Sequence, residues 1–226
     1  MTKMALNLIM LGAPGAGKGT QAERVARARA IPKISTGDIL REAVLNGTDI
    51  GRRASDIMAR GELVNDDVMI GIVRERLDQK DVRNGFILDG FPRTVIQAAA
   101  LDEIVKGRDP MVVVEIVVPE DELVRRLSTR MVCEKCGETA HGAAAKIPDC
   151  QRCGGRLVQR SDDHDAVVIE RLKVYNRQTQ PLVEYYQTRP TFRSVNGSQA
   201  SDRVAADLLA AIESAASGMA AKGARP

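Results

Sequence analysis

Three near-continuous apolar runs punctuate the chain: Ala5–Leu11 (ALNLIML), Phe86–Leu88 just before Asp89, and Met111–Val118 (MVVVEIVV). Short runs without polar alternation are the mark of strands covered on both faces. Lys33–Ser35 and Phe192–Val195 are weaker strand candidates. Between the runs, apolar positions recur at helical spacing, predicting helices over about Lys18–Ala28, Asp38–Leu45, Ile50–Arg60, Asp66–Leu77, Thr94–Val105 and Pro119–Arg130. Two more are predicted from about Asp165 to Tyr186 and from Ser201 to Ala215. Val168, Leu172 and Tyr175 mark the buried face of the former, and Val204, Leu208 and Ile212 that of the latter. Pro181 is expected to bend the first of these two helices. Strands separated by helices must run mostly parallel, because each crossover needs a dozen or more residues. The expected architecture is a three-layer α/β sandwich.

From about Met131 to Asp165 this rhythm stops, and glycine, alanine, charge and all four cysteines gather there, as in a small inserted module. The tail Gly218–Pro226 has the composition of a frayed end. The chain has 226 residues, enough for one sizeable core, with 44% hydrophobic and 28% charged residues. No apolar run reaches the roughly 20 residues of a membrane-spanning helix. The stretch MTKMALNLIMLG has the look of a secretory leader. However, no small-residue cleavage site follows it and it feeds into a glycine motif, so a buried strand and a cytoplasmic protein are expected. A net charge of +3 is too small to indicate nucleic acid, yet 33 lysines and arginines are available to meet a polyanionic small molecule.

The most informative stretch is Gly12-Ala-Pro-Gly-Ala-Gly-Lys-Gly-Thr20, between a strand and a helix. Glycines there let the backbone wrap phosphate oxygens with N–H groups pointing inward, and the positive end of the following helix adds to the field. Gly15, Ala16, Gly17, Lys18, Gly19 and Thr20 are the candidate triphosphate ligands. Lys18 is placed for the β- and γ-phosphates, and the hydroxyl able to contact magnesium is Thr20, one position later than usual. Asp89 ends a buried strand, the place from which a carboxylate elsewhere orders magnesium beside such a loop. Arg93 follows a tight turn and Arg41 lies in the first turns of a helix after Ser35-Thr-Gly-Asp38; a guanidinium offers a planar fork to phosphate.

Cys133-x2-Cys136 and Cys150-x2-Cys153 form two knuckles, and Gly137 and Gly154 each follow a second cysteine. Four thiolates around zinc would make a closed, structural site. The 13 residues between the knuckles are slightly fewer than in common zinc ribbons, so disulfides and unligated thiols are the competing readings. His141 is treated as a bystander. A module of this size buries little core, and a metal would supply the missing stability.

GAPGAGKGTQA, STGDILR, GELV and LDGFPRT, in this order and spacing, resemble the adenylate kinases, and the resemblance runs from Ala5 to about Ile212. The cysteine insert is similar to the long-lid, zinc-bearing bacterial type. The resemblance implies a P-loop nucleoside monophosphate kinase fold with a mostly parallel five-stranded sheet. The core would comprise residues 1–35, 65–130 and 166–217. A mobile AMP-binding domain would span 36–64, a zinc lid 131–165 and a flexible tail 218–226. It further implies that Thr36 and Gln97 contact adenine of AMP, that Arg41 and Arg93 grip its phosphate, and that Glu62, Leu63 and Val64 line the site partly through their backbone. Gly90, Phe91, Pro92 and Arg93 would form the turn beneath the phosphates. Arg130, Arg160 and Arg171 would contact the phosphates being transferred, with Arg126 over the ATP adenine. Thr139, Ala140 and Gln199 would line the ATP side, and Asp162 and Asp163 would lock the closed lid. Ala140 stands where many relatives carry an aromatic residue. The implied reaction is reversible phosphoryl transfer from MgATP to AMP, giving two ADP, by a monomer with structural zinc. The rivals are a UMP/CMP-type kinase, and a P-loop ATPase whose zinc ribbon binds nucleic acid; residues 131–165 contain no aromatic side chain, which counts against the second.

Overall fold

The computed structural model describes residues 5–140, 144–160 and 162–220. His141 and residues 221–226 of the expected tail lie outside them. Five strands form one wholly parallel sheet: β1 (Leu6–Leu11), β2 (Lys33–Ser35), β3 (Gly85–Asp89), β4 (Met111–Val117) and β8 (Phe192–Asn196), in the order β2-β3-β1-β4-β8. The register sets Met10 beside Asp89 and Leu11 beside Glu115, so the ends of the three central strands share one edge. The sheet is apolar because it is covered twice. Leu8, Met10, Val112, Val114 and Ile116 face α1 (Lys18–Arg29), α6 (Glu120–Ser128) and α9 (Ser201–Ala220). Ile9, Leu88, Val113 and Phe86 face α4 (Asp66–Leu77), α5 (Val95–Ile104) and α8 (Pro181–Gln187). This is the expected three-layer sandwich.

The helix starts follow local chemistry. The hydroxyls of Ser35 and Thr94 and the amide oxygen of Asn65 accept from backbone N–H groups at the starts of α2 (Thr36–Leu45), α5 and α4, satisfying groups that a helix leaves unpaired. Thr48 does the same for α3 (Asp49–Ala59). Three expectations change. The helix foreseen from Asp165 to Tyr186 is α7 (Asp165–Val174), a π-turn (Tyr175–Thr179) and α8, so its irregularity precedes Pro181. Val168 and Leu172 are buried, but Tyr175 only half so. The last helix runs past Ala215 to Ala220 and takes in the start of the expected tail. Third, the insert is an antiparallel sheet of β5 (Met131–Cys133), β6 (Thr139–Ala140) and β7 (Leu157–Gln159), strands too short to leave a period in the sequence. Among the described residues no helix is long and apolar enough to cross a membrane.

Candidate functional site: a cationic cleft above the sheet edge

The loop joining β1 to α1 lies at the edge where the strands end. Gly12, Gly15 and Gly17 have φ of 137°, 85° and 94°, values open to glycine. At Gly12 space decides as well, because a Cβ would lie 2.6 Å from the Ile116 carbonyl oxygen. Lys18 is half-buried and its ammonium folds back on the loop, donating to the carbonyls of Gly12 (2.7 Å) and Ala13 (2.9 Å). Burial pulls it from its ordinary 10.5 down to about 8; Asp89 opposes that shift, whereas Arg93, Arg171 and Arg130 reinforce it. Asp89 therefore faces Lys18, and a Cβ on Gly19 would lie 3.2 Å from its Oδ2.

Gly90 O organises the opposite wall, accepting from Thr36 Oγ1 (2.8 Å) and Arg93 Nε (2.8 Å). Phe91 and Pro92 are buried in this turn. Gln97 is held at both ends of its amide. Its Oε1 accepts from Arg93 N–H (2.8 Å) and its Nε2 donates to Asp66 Oδ1 (2.7 Å), leaving one N–H and one lone pair for a ligand. Burial, then the nearby Arg171, lowers Arg93 to about 10. Arg41 is paired with Asp38, whose carboxyl is raised by burial but held below its usual range by that guanidinium.

The flanks of the cysteine-bearing insert complete a ring of cations. Arg130, just before the insert, grips Asp163, near its end, through Nε (2.6 Å to Oδ2) and Nη2. Arg171 Nη1 also reaches Asp163 Oδ1 (2.9 Å) and Asp162 Oδ2 (3.0 Å). Asp162 is lifted by burial but kept below its ordinary value by Arg171, Arg41, Arg130 and Arg160. Arg160 is lowered to about 10 by burial and by Arg41 and Arg130, and its Nε–H has no partner among the described residues. Thus Lys18, Arg41, Arg93, Arg130, Arg160 and Arg171, scattered over the chain, lie within one another's fields. Such a set is self-repelling when empty and fits a polyanion.

Other candidates lie further out. Arg126 bridges Glu122 (2.8 Å) and Gly197 O (2.9 Å), beside Gln199, whose amide donates to Asn196 O and Asp207. Thr139 and Ala140 pair with Val132 and Met131 and line a cavity of about 400 Å³ with Arg27 and Arg152, between the insert and α1. Glu62 turns its exposed carboxylate to Arg60, while Leu63 and Val64 are half-buried. Sequence reasoning missed Gly61, Asp66 and Asp38. A Cβ on Gly61 would come within 2.9 Å of Arg171 Cγ, so glycine there lets the cation in; its place just past α3 was the available signal.

The four cysteines converge with every Sγ within 4.8 Å of the others. Cys133–Cys153 (3.5 Å) and Cys136–Cys150 (3.7 Å) are much too long for disulfides, and all four thiols are free. A tetrahedron of sulfurs about 2.3 Å from a zinc ion has edges of about 3.8 Å, close to both. Gly137 (φ 69°) and Gly154 (φ 67°) close the knuckles by donating to Cys133 O and Cys150 O. Burial would raise the Cys133 thiol, but the N–H groups of Cys136 and Lys135 help bring it down to about 7. Gly155 also matters, since a Cβ there would lie 2.8 Å from Cys133 Sγ.

Residues 10–191 match the family model for adenylate kinase. An adenylate kinase of Archaeoglobus fulgidus is 48% identical over 213 residues, covering 92% of this chain and 98% of that protein. One from Moorella thermoacetica is 52% identical over 200 residues (86% and 92%), and one from a Geobacillus species 48% identical over 208 (90% and 96%).

Proposed function

The chain belongs to the adenylate kinase family, and from that premise we propose that it carries out reversible phosphoryl transfer from MgATP to AMP, giving two ADP, by charge stabilisation in the cationic cleft. The observation that carries this reading is the convergence of Lys18 with five arginines around an edge lined by a phosphate-type loop. A monophosphate is already anionic at neutral pH, so its attack needs no general base. The work lies in holding two polyanions in line and stabilising the charge on the transferring group. The loop N–H groups of Gly15 to Thr20 and Lys18 would hold the ATP phosphates. Arg41 and Arg93 would hold the phosphate of AMP, and Arg130, Arg160 and Arg171 the group in transit. Asp38, Asp162 and Asp163 pair with these cations. Magnesium enters with ATP, and Thr20 and Asp89 are its candidate partners.

Gln97 and Thr36 would set the base, with Arg126, Gln199, Thr139 and Ala140 on the ATP side and Glu62 to Val64 and Gly90 to Pro92 around AMP. Residues 36–64 and 131–165 would act as closing units over a core of 1–35, 65–130 and 166–217, excluding water from the transfer. Cys133, Cys136, Cys150 and Cys153 would hold a structural zinc that rigidifies the lid. The protein is read as a cytoplasmic monomer, and sedimentation at more than one chain's mass would overturn the latter. The relatives' shared name disfavours a UMP or CMP acceptor.

Purified protein with ATP, magnesium and each nucleoside monophosphate in turn tests this reading. Rapid ADP formation with AMP, abolished by Arg93→Ala, is expected. A preference for UMP or CMP would overturn the assignment of Thr36 and Gln97, and no transfer to any monophosphate would overturn the function.

A further inference from the structure

We propose that Thr179 is a positioning residue: its hydroxyl ties the Arg93 loop to the helix bearing Arg171 and so sets the spacing of the two guanidiniums around the acceptor phosphate. The inference rests on the phosphotransfer reading above and goes beyond it. Between α7 and α8 the chain forms a π-turn, closed by Gln180 N–H donating to Tyr175 O at 2.9 Å, five residues back. Such turns are rare and gather at functional sites. Pro181 follows directly, at the first position of α8, where its missing N–H leaves no helical bond broken.

The turn changes what the helix presents. On an ideal α-helix Arg171 and Thr179, eight positions apart, would differ by about 80° around the axis. A wider turn advances less per residue, which brings Thr179 back towards the face of Arg171. There its Oγ1 donates to Arg93 O at 2.9 Å. The other bonds of Arg93 are local, from its N–H to Gln97 and from its Nε to Gly90 O. Arg171 is the strongest charge acting on Arg93, and the two cations repel. The Thr179 bond thus holds together two segments whose guanidiniums repel. The first residue of the π-turn is set as well: Tyr175 lies half-buried in the field of Glu115, whose carboxylate accepts from Ser194 Oγ (3.1 Å).

Thr179→Val keeps the shape and removes the donor, whereas Thr179→Ser keeps the donor. In Thr179→Val, KM for AMP is expected to rise roughly three- to tenfold, the worth of one hydrogen bond, with KM for ATP unchanged and Tm lowered by no more than about 4 °C. Thr179→Ser should restore the wild-type value. Independently of turnover, the Arg93 Nε–H resonance of the ligand-free protein should exchange faster with solvent in Thr179→Val and normally in Thr179→Ser. Unchanged Arg93 exchange in the valine variant would overturn the proposal. So would equal changes in both KM values with a lowered Tm in both variants. If the wild type makes no ADP from AMP but Arg93 exchange responds as stated, the tether stands and the phosphotransfer reading falls.

Discussion

Lys18 shows how a single residue carries both recognition and cost. Its motif announced it, but not its burial or the two loop carbonyls that hold its ammonium at 2.7 and 2.9 Å. Burial lowers it from 10.5 to about 8, against the pull of Asp89. Below pH 8 both folded and unfolded chains carry the proton, and the folded state bears the full cost of the buried charge. Between about 8 and 10.5 the unfolded chain binds more protons, so stability rises with pH, by about 3 kcal/mol over the window. Lys18→Met should remove that rise: urea midpoints of the two proteins should diverge from pH 8 to 10, the wild type gaining. Parallel profiles would show that the ammonium is solvated. The same variant should lose about 10²–10³ in turnover, as removal of one preorganised donor does elsewhere. The commitments of Thr36 to Gly90 O and of Gln97 to Asp66 and Arg93 were not legible, because side chains in different segments make them.

Among the elements, the sheet and its helices were readable because strands covered on both faces must be apolar, and caps at Ser35, Asn65 and Thr94 mark helix starts locally. The π-turn left no such trace, since its widening registers through contacts with Arg93 and not through a change of apolar period. The two lid flanks meet at Asp163, fully buried, which takes Arg130 and Arg171 together. Asp163→Asn leaves Arg130 without its buried counter-charge and Arg171 with Asp162 alone, and should cost about 3 kcal/mol or more in denaturant unfolding. A cost below about 1 kcal/mol would indicate a pair that water screens.

Over the whole molecule, the insert stands apart from the sandwich, with its own small cluster of Cys133, Cys150 and Leu157. So little apolar surface gives three short strands little to stand on, and the proposed zinc would supply the missing stability. One zinc per chain is expected by elemental analysis. Chelation or Cys150→Ser should unfold the lid, seen as faster amide exchange of Met131–Cys133 and Leu157–Gln159, while the core strands stay protected. Equal protection with and without chelator would overturn the structural zinc. The sequence by itself determined the layer order, the phosphate loop, the cysteine knuckles and the family, because each rests on neighbours in the chain or on a repeating pattern. Only the tertiary structure decided which of the many arginines converge, which carboxylates balance them, and where Gly61 and Thr179 let two segments approach. Those depend on groups far apart in sequence, whose mutual fields and contacts exist only once the sheet has brought its strand ends to one edge.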